Sequence, residues 1–202
     1  MCPTPVVSLV MNTMKTDLHH YLRDVREAMV WKLDGLSEHD IRRPLTPTGT
    51  NLLGLVKHLA GVELLYFGLV FGRPFAEHVP WLRQDAEPNT DMFATAEESR
   101  SDIVGLYQRA WAHADTTIEE LPLDTVGHVE WWPGNKTTLH RVLVHVIAEA
   151  NRHVGHADIV RELVDGAVGL NQGNDFMPAV DKAWWADYHA AVTKVSDGFA
   201  QQ

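Results

Sequence analysis

The sequence predicts an all-α protein, a four-helix bundle with long loops and an extra C-terminal helix. Four long stretches carry apolar residues at three- and four-residue steps, which is the spacing of amphipathic helices. The clearest of them runs from Thr137 to Asp165. Asparagine, glycine and proline residues near the ends of these stretches are typical of helix boundaries. Together these patterns favour a bundle in which each helix buries one face.

The predicted elements follow in order along the chain. Residues 1–14 contain two prolines and a β-prone V-V-S-L-V stretch, which indicates an extended arm. Long helices are predicted over 16–36 with Thr16 as N-cap, over 51–72 with Asn51 as N-cap, and over 137–165. Another long helix is predicted from a Thr95/Glu98 capping box to Pro122. Shorter helical segments are predicted over 37–43 and over 181–196. The chain therefore divides into an N-terminal arm over 1–14, a bundle over 15–170 and a C-terminal extension over 171–202.

Composition argues against several classes of protein. The 202 residues suffice for one domain with a substantial core. A net charge of -10 argues against nucleic acid and anionic membranes as partners, since both attract Lys and Arg patches. Cys2 is the sole cysteine, so the chain has no internal disulfide and no Cys-based metal site. Because the chain lacks a signal-like N-terminus and a sufficiently long apolar run, we expect a cytoplasmic protein.

Two ionisable residues lie on or near the apolar face of the 137–165 helix. At about 100° per residue, His153 lies within about 40° of the centre of that face, and Glu149 lies about 40° further round. An unpartnered carboxylate that faces a core is costly, so we expect a positive partner beside Glu149. His58 faces the core side of the 51–72 helix and supplies a third group.

The three residues His58, Glu149 and His153 are consistent with a divalent metal site. Glu149 and His153 are four residues apart, so both can reach one ion. Two histidines and one carboxylate leave coordination positions open for water or substrate, as in catalytic sites. The alternative is a buried, hydrogen-bonded Glu–His pair without metal. Taken alone, His58 is more typical of a hydrogen-bonded core histidine than of a ligand.

Further residues lie at the edge of the predicted site. His145 and His156 also have helical spacing with Glu149, but they lie about 90° or more from the apolar centre. His156 is therefore predicted at the rim, where it could support the ligands or contact a bound molecule. Trp131 and Trp132 stand shortly before the helix, where they could wall a cleft or close the end of the bundle. The loop over 73–94 is too long for a bare connection and is predicted to cover a pocket or to dock a partner.

Two segments and a tryptophan pair resemble a known family. The segments are N-L-L-G-L-V-K-H-L at 51–59 and the stretch over 143–166, and the pair is W-W at 131–132. Over about residues 15–170 the chain resembles the DinB/YfiT-like bundles, in the actinobacterial branch of mycothiol-dependent transferases and mycothiol-dependent maleylpyruvate isomerase. Many DinB-like proteins bind metal through one histidine of the second helix and an H-x-x-x-H pair of the last long helix. Here Glu149 stands first in that pair, a variant similar to the mycothiol-linked branch, and the resemblance implies the ligands His58, Glu149 and His153.

The resemblance also implies a function. A divalent metal ion would activate a low-molecular-weight thiol, here mycothiol, for transfer to an electrophilic small molecule, as in detoxification. Zinc is the first choice of metal, and iron, nickel and manganese are alternatives. The absence of a G-x-S-x-G motif and of a cysteine in a basic setting agrees with this chemistry. Candidates for holding the thiol or the electrophile are Asn151, Arg152, His156, Trp131 and Trp132, although Arg152 is more typical of a surface salt bridge.

Two alternative functions use the same residues. A metal-dependent hydrolase would use a metal-bound water as its nucleophile. A non-catalytic bundle would bind a small molecule or a partner helix, and the histidine and glutamate would then form a structural pair. Trp184 and Trp185 in the last helix, and the loop around Trp81, suggest a homodimer.

Overall fold

The computed structural model of the chain describes residues 5–83 and 85–200, with side chains from residue 13 onward. It confirms the all-α class. The helices are α1 (Pro5–Trp31), α2 (Glu38–Arg42), α3 (Leu52–Glu63), α4 (Arg100–Glu120), α5 (Leu139–Asp165) and α6 (Lys182–Asp197). Two short antiparallel strands, β1 (Val126–His128) and β2 (Lys136–Thr138), form a hairpin with Gly127 opposite Thr137.

Four long helices form the bundle, with α1 packed against α5 and α3 packed against both α4 and α5. Side-chain caps set where two of them begin: Asn51 accepts a hydrogen bond from Gly54 N at the start of α3, and Thr138 accepts one from Arg141 N at the start of α5. Gly166 ends α5 in a left-handed conformation. Most of the apolar residues on the predicted faces of these helices lie in the core between them. Tyr21 and Leu69 are exceptions, since both were predicted on these faces and both are exposed.

The α3 helix continues as a π-helical turn, Leu64–Gly68, and a 3-10 turn, Leu69–Phe71, before Gly72. The stretch Leu52–Phe71 is the one part of the described chain long and apolar enough to cross a membrane. Its apolar window is 83% buried inside the protein, as the central helix of a bundle would be.

A buried ionic network links three helices of the bundle. Arg26 of α1 and Glu63 of α3 are almost fully buried and form a two-pronged ion pair, with Nε to Oε1 at 2.8 Å. A third nitrogen of Arg26 donates to Asp115 Oδ1 of α4 at 2.7 Å. His19 Nε2 lies 2.8 Å from the same oxygen. The side chain of Arg26 therefore holds α1 against α3 and α4, and its bonds to Glu63 are made away from water.

The beginning of the first helix was predicted wrongly. The extended arm is wrong for residues 5–14, which form the first turns of α1, and Thr16 lies inside that helix instead of capping it. Residues 1–4 lie outside the described part of the chain. Proline is tolerated in the first turn of a helix, and the β-propensity of a short V-V-S-L-V stretch is a weak preference that helix formation overrides here.

Further boundaries differ from the predictions, since α1 ends at Trp31 and not at residue 36, and α4 begins later than predicted. The α4 helix begins at Arg100, because Ser99 and Asp102 form the capping box. The predicted Thr95/Glu98 pair makes one of its bonds, from Thr95 N to Glu98 Oε2, but the same oxygen also accepts a hydrogen bond from Lys57 of α3. The sequence predicts helices alone, whereas the structure also contains the strands β1 and β2 between α4 and α5.

Candidate metal centre

Three ionisable side chains converge where α3 faces α5. His58 lies in the second turn of α3, and Glu149 and His153 lie one turn apart in α5. One potential ligand atom from each of the three lies within 4.8 Å of the other two. The helical periodicity of the sequence brings Glu149 and His153 to one face, and the packing of α3 on α5 brings His58 opposite them.

The carboxylate of Glu149 lies between the two imidazoles. Its Oε1 is 3.1 Å from His153 Nε2 and 3.9 Å from His58 Nε2. The two histidine rings meet edge to face, with their centroids 4.7 Å apart. The distance of 3.9 Å is too long for a hydrogen bond, and it suits two ligand atoms that share an ion at about 2.1 Å each.

Burial differs among the three residues and leaves one side of the group open. His153 is buried, whereas the side chains of His58 and Glu149 are 21% and 33% exposed. Burial lowers the pKa of His153, and the neighbouring His58 lowers it further, although the hydrogen bond and charge of Glu149 oppose the shift. A lowered pKa keeps the imidazole neutral, which is the form that binds metal. The part of the group that solvent reaches is therefore formed by His58 and Glu149.

The two histidines differ in the hydrogen-bond partner of their Nδ1 atom. Asp91, in the loop between α3 and α4, places Oδ2 2.7 Å from His58 Nδ1. His153 Nδ1 is buried and has no hydrogen-bond partner among the described residues. The donor set of two imidazoles and one carboxylate, with one imidazole supported by an outer carboxylate, suits a divalent ion with open coordination positions.

An aromatic cluster lies one turn of α5 before Glu149. It consists of Tyr66, Trp131, Trp132 and His145. Trp131 Nε1 donates to the Tyr66 hydroxyl at 3.2 Å, and His145 Nε2 lies 3.0 Å from the same oxygen. Burial lowers the pKa of His145, while Glu149 acts to raise it. Trp131 is 51% exposed, so the cluster presents an aromatic surface to solvent near the ionisable group.

The remaining predicted residues differ in their relation to the group. His156 is exposed, and its ring lies 5.4 Å from that of His153, which puts it at the rim. Asn151 is exposed and donates to Ile147 O of its own helix. Arg152 is exposed, and within the described ranges it forms no salt bridge. Of the predicted substrate-holding residues, the structure thus brings His156 and the tryptophan pair towards the candidate site, and it turns the Asn151 amide to its own helix.

Two residues beside the site escaped prediction. Asp91 lies in an irregular loop, where no periodicity indicates which way a side chain points, and its contact with His58 spans 33 residues. Tyr66 follows His58 by eight residues on the same helical stretch, so helical spacing places the two residues near the same face. The same spacing is also typical of an ordinary core residue, so it did not indicate a role at the site.

Comparison with known proteins agrees with the resemblance noted from the sequence. The search of curated proteins finds no match to this chain. A family model described as Mycothiol-S-transferase matches residues 17–166, a span that includes all three converging side chains and the aromatic cluster. The chain belongs to the mycothiol S-transferase family, a DinB/YfiT-like family of actinobacterial, mycothiol-related proteins.

Proposed function

We propose that this protein is a metal-dependent transferase that joins the thiol of mycothiol to an electrophilic small molecule. The observation that supports the proposal best is the convergence of His58, Glu149 and His153 within a chain of the mycothiol S-transferase family. We assign the three residues as ligands of one divalent ion, with zinc as the first choice because two imidazoles and a carboxylate suit it. A divalent ion bound there supplies one kind of chemistry: it lowers the pKa of a thiol that binds to it.

The protein's own residues have separate roles in this proposal. The imidazoles of His58 and His153 are assigned to offer one nitrogen lone pair each, and the carboxylate of Glu149 is the acidic ligand of the set. The exposed sides of His58 and Glu149 leave room for a small thiol. His156, exposed at the rim beside His153, is assigned to hold the thiol compound through a hydrogen bond.

The aromatic cluster of Tyr66, Trp131, Trp132 and His145 is proposed to bind the electrophile. Trp131 offers a half-exposed ring, and its indole N–H is already engaged by Tyr66, so the ring face is what remains for a ligand. Apolar surfaces of this kind bind a ligand through the apolar area that becomes buried, and they exclude water from the reacting atoms. In the transfer, the thiol proton goes to solvent, the sulfur lone pair forms a carbon–sulfur bond, and the leaving group departs with the bonding electrons.

Metal analysis combined with a conjugation assay tests the proposal. Purified protein is expected to contain about one divalent ion per chain and to conjugate mycothiol, in preference to glutathione or bacillithiol, to a generic electrophile. Glu149→Gln removes the charged ligand and should lose both metal and activity. Glu162→Gln, an exposed carboxylate on the same helix, should lose neither. A protein that lacks metal, or that conjugates equally well after chelation, would contradict metal dependence, and turnover of an ester or amide without thiol would point to hydrolysis.

We also propose a cellular location and an oligomeric state for the protein. We place the protein in the cytoplasm, where low-molecular-weight thiols remain reduced. A homodimer through α6 is supported by an apolar stripe of that helix, in which Trp184, Tyr188 and Val192 are exposed at four-residue steps. Trp81 does not support it, because Trp81 is buried and lies over Lys57 of its own chain. Light scattering of the wild type and of Tyr188→Glu measures the assembly directly, and a monomeric wild type would refute the dimer.

A further inference from the structure

A short turn of the loop between α3 and α4 lies across the first half of α3. We call residues 89–93 the Asp91 turn. It begins at Asn89 in a left-handed conformation and continues as the 3-10 turn Thr90–Met92. Two side chains donate to consecutive carbonyl groups in it: that of the α3 N-cap, Asn51 Nδ2, to Met92 O at 3.0 Å, and that of Lys57 in α3, Nζ, to Phe93 O at 3.0 Å. The backbone directly after Asp91 is thus tied to α3 at two points.

The turn also lies unusually close to the helix. A Cβ atom added to Gly54 would lie 1.9 Å from Met92 O, so this approach requires glycine at position 54. Lys57 binds Glu98 Oε2 at 2.7 Å as well, which ties the loop again five residues later. Neither the N-cap Asn51 nor Gly54 and Lys57 of α3 belongs to the candidate ligand set. Together they hold the Asp91 turn against α3 and fix where the carboxylate of Asp91 lies.

The carboxylate of Asp91 meets the side of His58 that faces away from Glu149. Oδ2 of Asp91 lies 2.7 Å from Nδ1, and Nε2 on the other side of the ring lies 3.9 Å from Glu149 Oε1. A neutral imidazole has one N–H group, and an ionised carboxylate can only accept a hydrogen bond. In the neutral form of His58, the short contact puts the hydrogen on Nδ1, and the Nε2 lone pair is then directed towards Glu149 and His153.

We infer that Asp91 is a positioning residue of the candidate metal centre, which holds His58 in the Nδ1–H tautomer with Nε2 presented to the ion. The inference that Asp91 supports metal binding rests on the proposed function, whereas the tautomer of His58 follows from the contact alone. Outer carboxylates of this kind fix the orientation of a histidine ligand and make its free nitrogen more basic, and their loss weakens metal binding by about 10- to 100-fold.

The inference is tested with two variants of Asp91 and one control. Asp91→Ala removes the acceptor, and Asp91→Asn keeps an acceptor oxygen and the volume of the side chain but removes the charge. Glu87→Ala is the control, because it removes one exposed carboxylate from the same loop. Circular dichroism establishes that each variant is folded. If Asp91→Ala fails to fold, the Zn²⁺ affinity of Asp91→Asn provides the test.

Two readouts separate the role of Asp91 from the question of metal use. The first is the nitrogen chemical shifts of His58 in metal-free protein with labelled histidine, which report the tautomer. We expect Nδ1–H in the wild type and in Glu87→Ala, and a mixture of tautomers in Asp91→Ala. The second is the affinity for Zn²⁺, measured by competition with a chromogenic chelator. We expect a loss of about 10- to 100-fold for Asp91→Ala, a smaller loss for Asp91→Asn and none for Glu87→Ala.

The possible results separate the role of Asp91 from the proposed metal function. If Asp91→Ala keeps the Nδ1–H tautomer, or if the Asp91 variants bind Zn²⁺ within about twofold of the wild type, Asp91 does not position His58 for metal and the inference is refuted. If the wild-type protein binds no Zn²⁺ but the tautomer changes in Asp91→Ala, the proposed metal function fails while the orienting contact stands. A loss of affinity in Glu87→Ala as large as that in Asp91→Ala would attribute the effect to loop charge and would also refute the inference.

Discussion

His153 Nε2 lies 3.1 Å from Glu149 Oε1, one turn away along α5, while His153 Nδ1 has no hydrogen-bond partner among the described residues. This pair can act in two ways. In a structural pair, the contact is a hydrogen bond whose loss destabilises the fold whether or not metal is present. In a metal centre, both atoms are ligands, and stability then depends on the ion.

Chelation distinguishes these roles of His153. A metal bound at a free concentration of about 100 to 1,000 times its dissociation constant adds about 3 to 4 kcal/mol to the free energy of unfolding. We expect a chelator to lower wild-type stability by about that amount and to leave His153→Ala unchanged. His140→Ala, an exposed histidine of the same helix, should respond as the wild type does. Equal stability of the wild type with and without chelator would favour the structural pair. Denaturant titration provides the measurement.

Two glycine substitutions should have opposite effects on stability. Gly54→Ala places a methyl group against Met92 O and must push the Asp91 turn away, at a cost of about 1 to 3 kcal/mol. Gly155→Ala places one where no atom lies within 4 Å, inside α5, and should stabilise the protein by about 0.5 to 1 kcal/mol. If Asp91 positions His58, Gly54→Ala should also weaken Zn²⁺ binding, and Gly155→Ala should not. Urea unfolding and chelator competition measure the two effects, and a neutral Gly54→Ala would show that the turn is not held tightly.

Removal of the Arg26 side chain should be among the most destabilising single changes in the bundle. It leaves the carboxylate of Glu63 buried without its partner, which costs about 3 to 5 kcal/mol. Arg23→Ala, on the exposed side of the same helix, should change the free energy of unfolding by less than about 0.5 kcal/mol. In the double variant Arg26→Met with Glu63→Leu, much of the lost stability should return, since neither member of the buried pair then carries a charge. A small effect of Arg26→Ala in urea unfolding would mean that water reaches Glu63.

Stability should fall in acid through Asp115. Burial acts to raise the pKa of Asp115, but the hydrogen bond with His19 and the charge of Arg26 lower it overall. An aspartate with a lowered folded-state pKa stabilises the fold fully above its unfolded pKa of about 4, and that contribution disappears as the pH falls through the lower, folded-state value. Urea titrations at pH 7, 4 and 3 should show a shallower acid loss in Asp115→Asn. Asp34→Asn, at an exposed position, should keep the wild-type slope; equal slopes in all three proteins would contradict the assignment.

Trp131 provides a test of the electrophile-binding surface. Loss of its half-exposed ring in Trp131→Ala should raise the KM for an aromatic electrophile by about 3- to 10-fold, because an aromatic contact contributes about 0.5 to 1.5 kcal/mol. The kcat and the Zn²⁺ affinity should change little, since Trp131 is not among the assigned ligands. Trp184→Ala removes an exposed tryptophan of α6 and should leave the steady-state kinetics unchanged. Loss of kcat with an unchanged KM would place Trp131 in the reaction step and not in substrate binding.

The sequence by itself determined which helices form and which of their faces are buried. Apolar spacing and the Asn51 cap located α3, and the spacing together with Gly166 located α5 to within two residues of its start and at its end. The same periodicity selected Glu149 and His153 over His145 and His156, because helical geometry is local and can be read from neighbouring residues. It failed at the start of α1, where a weak local β-preference was overridden.

Only the tertiary structure decided what surrounds the three converging side chains. Asp91 reaches His58 from an irregular loop 33 residues away, and Trp131 reaches Tyr66 across 65 residues. Neither contact produces a periodic pattern in the sequence, because the direction of a loop side chain depends on the backbone turns and on the helix against which the loop packs. Gly54 and Lys57 hold the Asp91 turn, yet each looks like an ordinary helix residue until α3 and the loop are brought together. Long-range contacts of this kind arise from packing, and local sequence patterns carry no record of them.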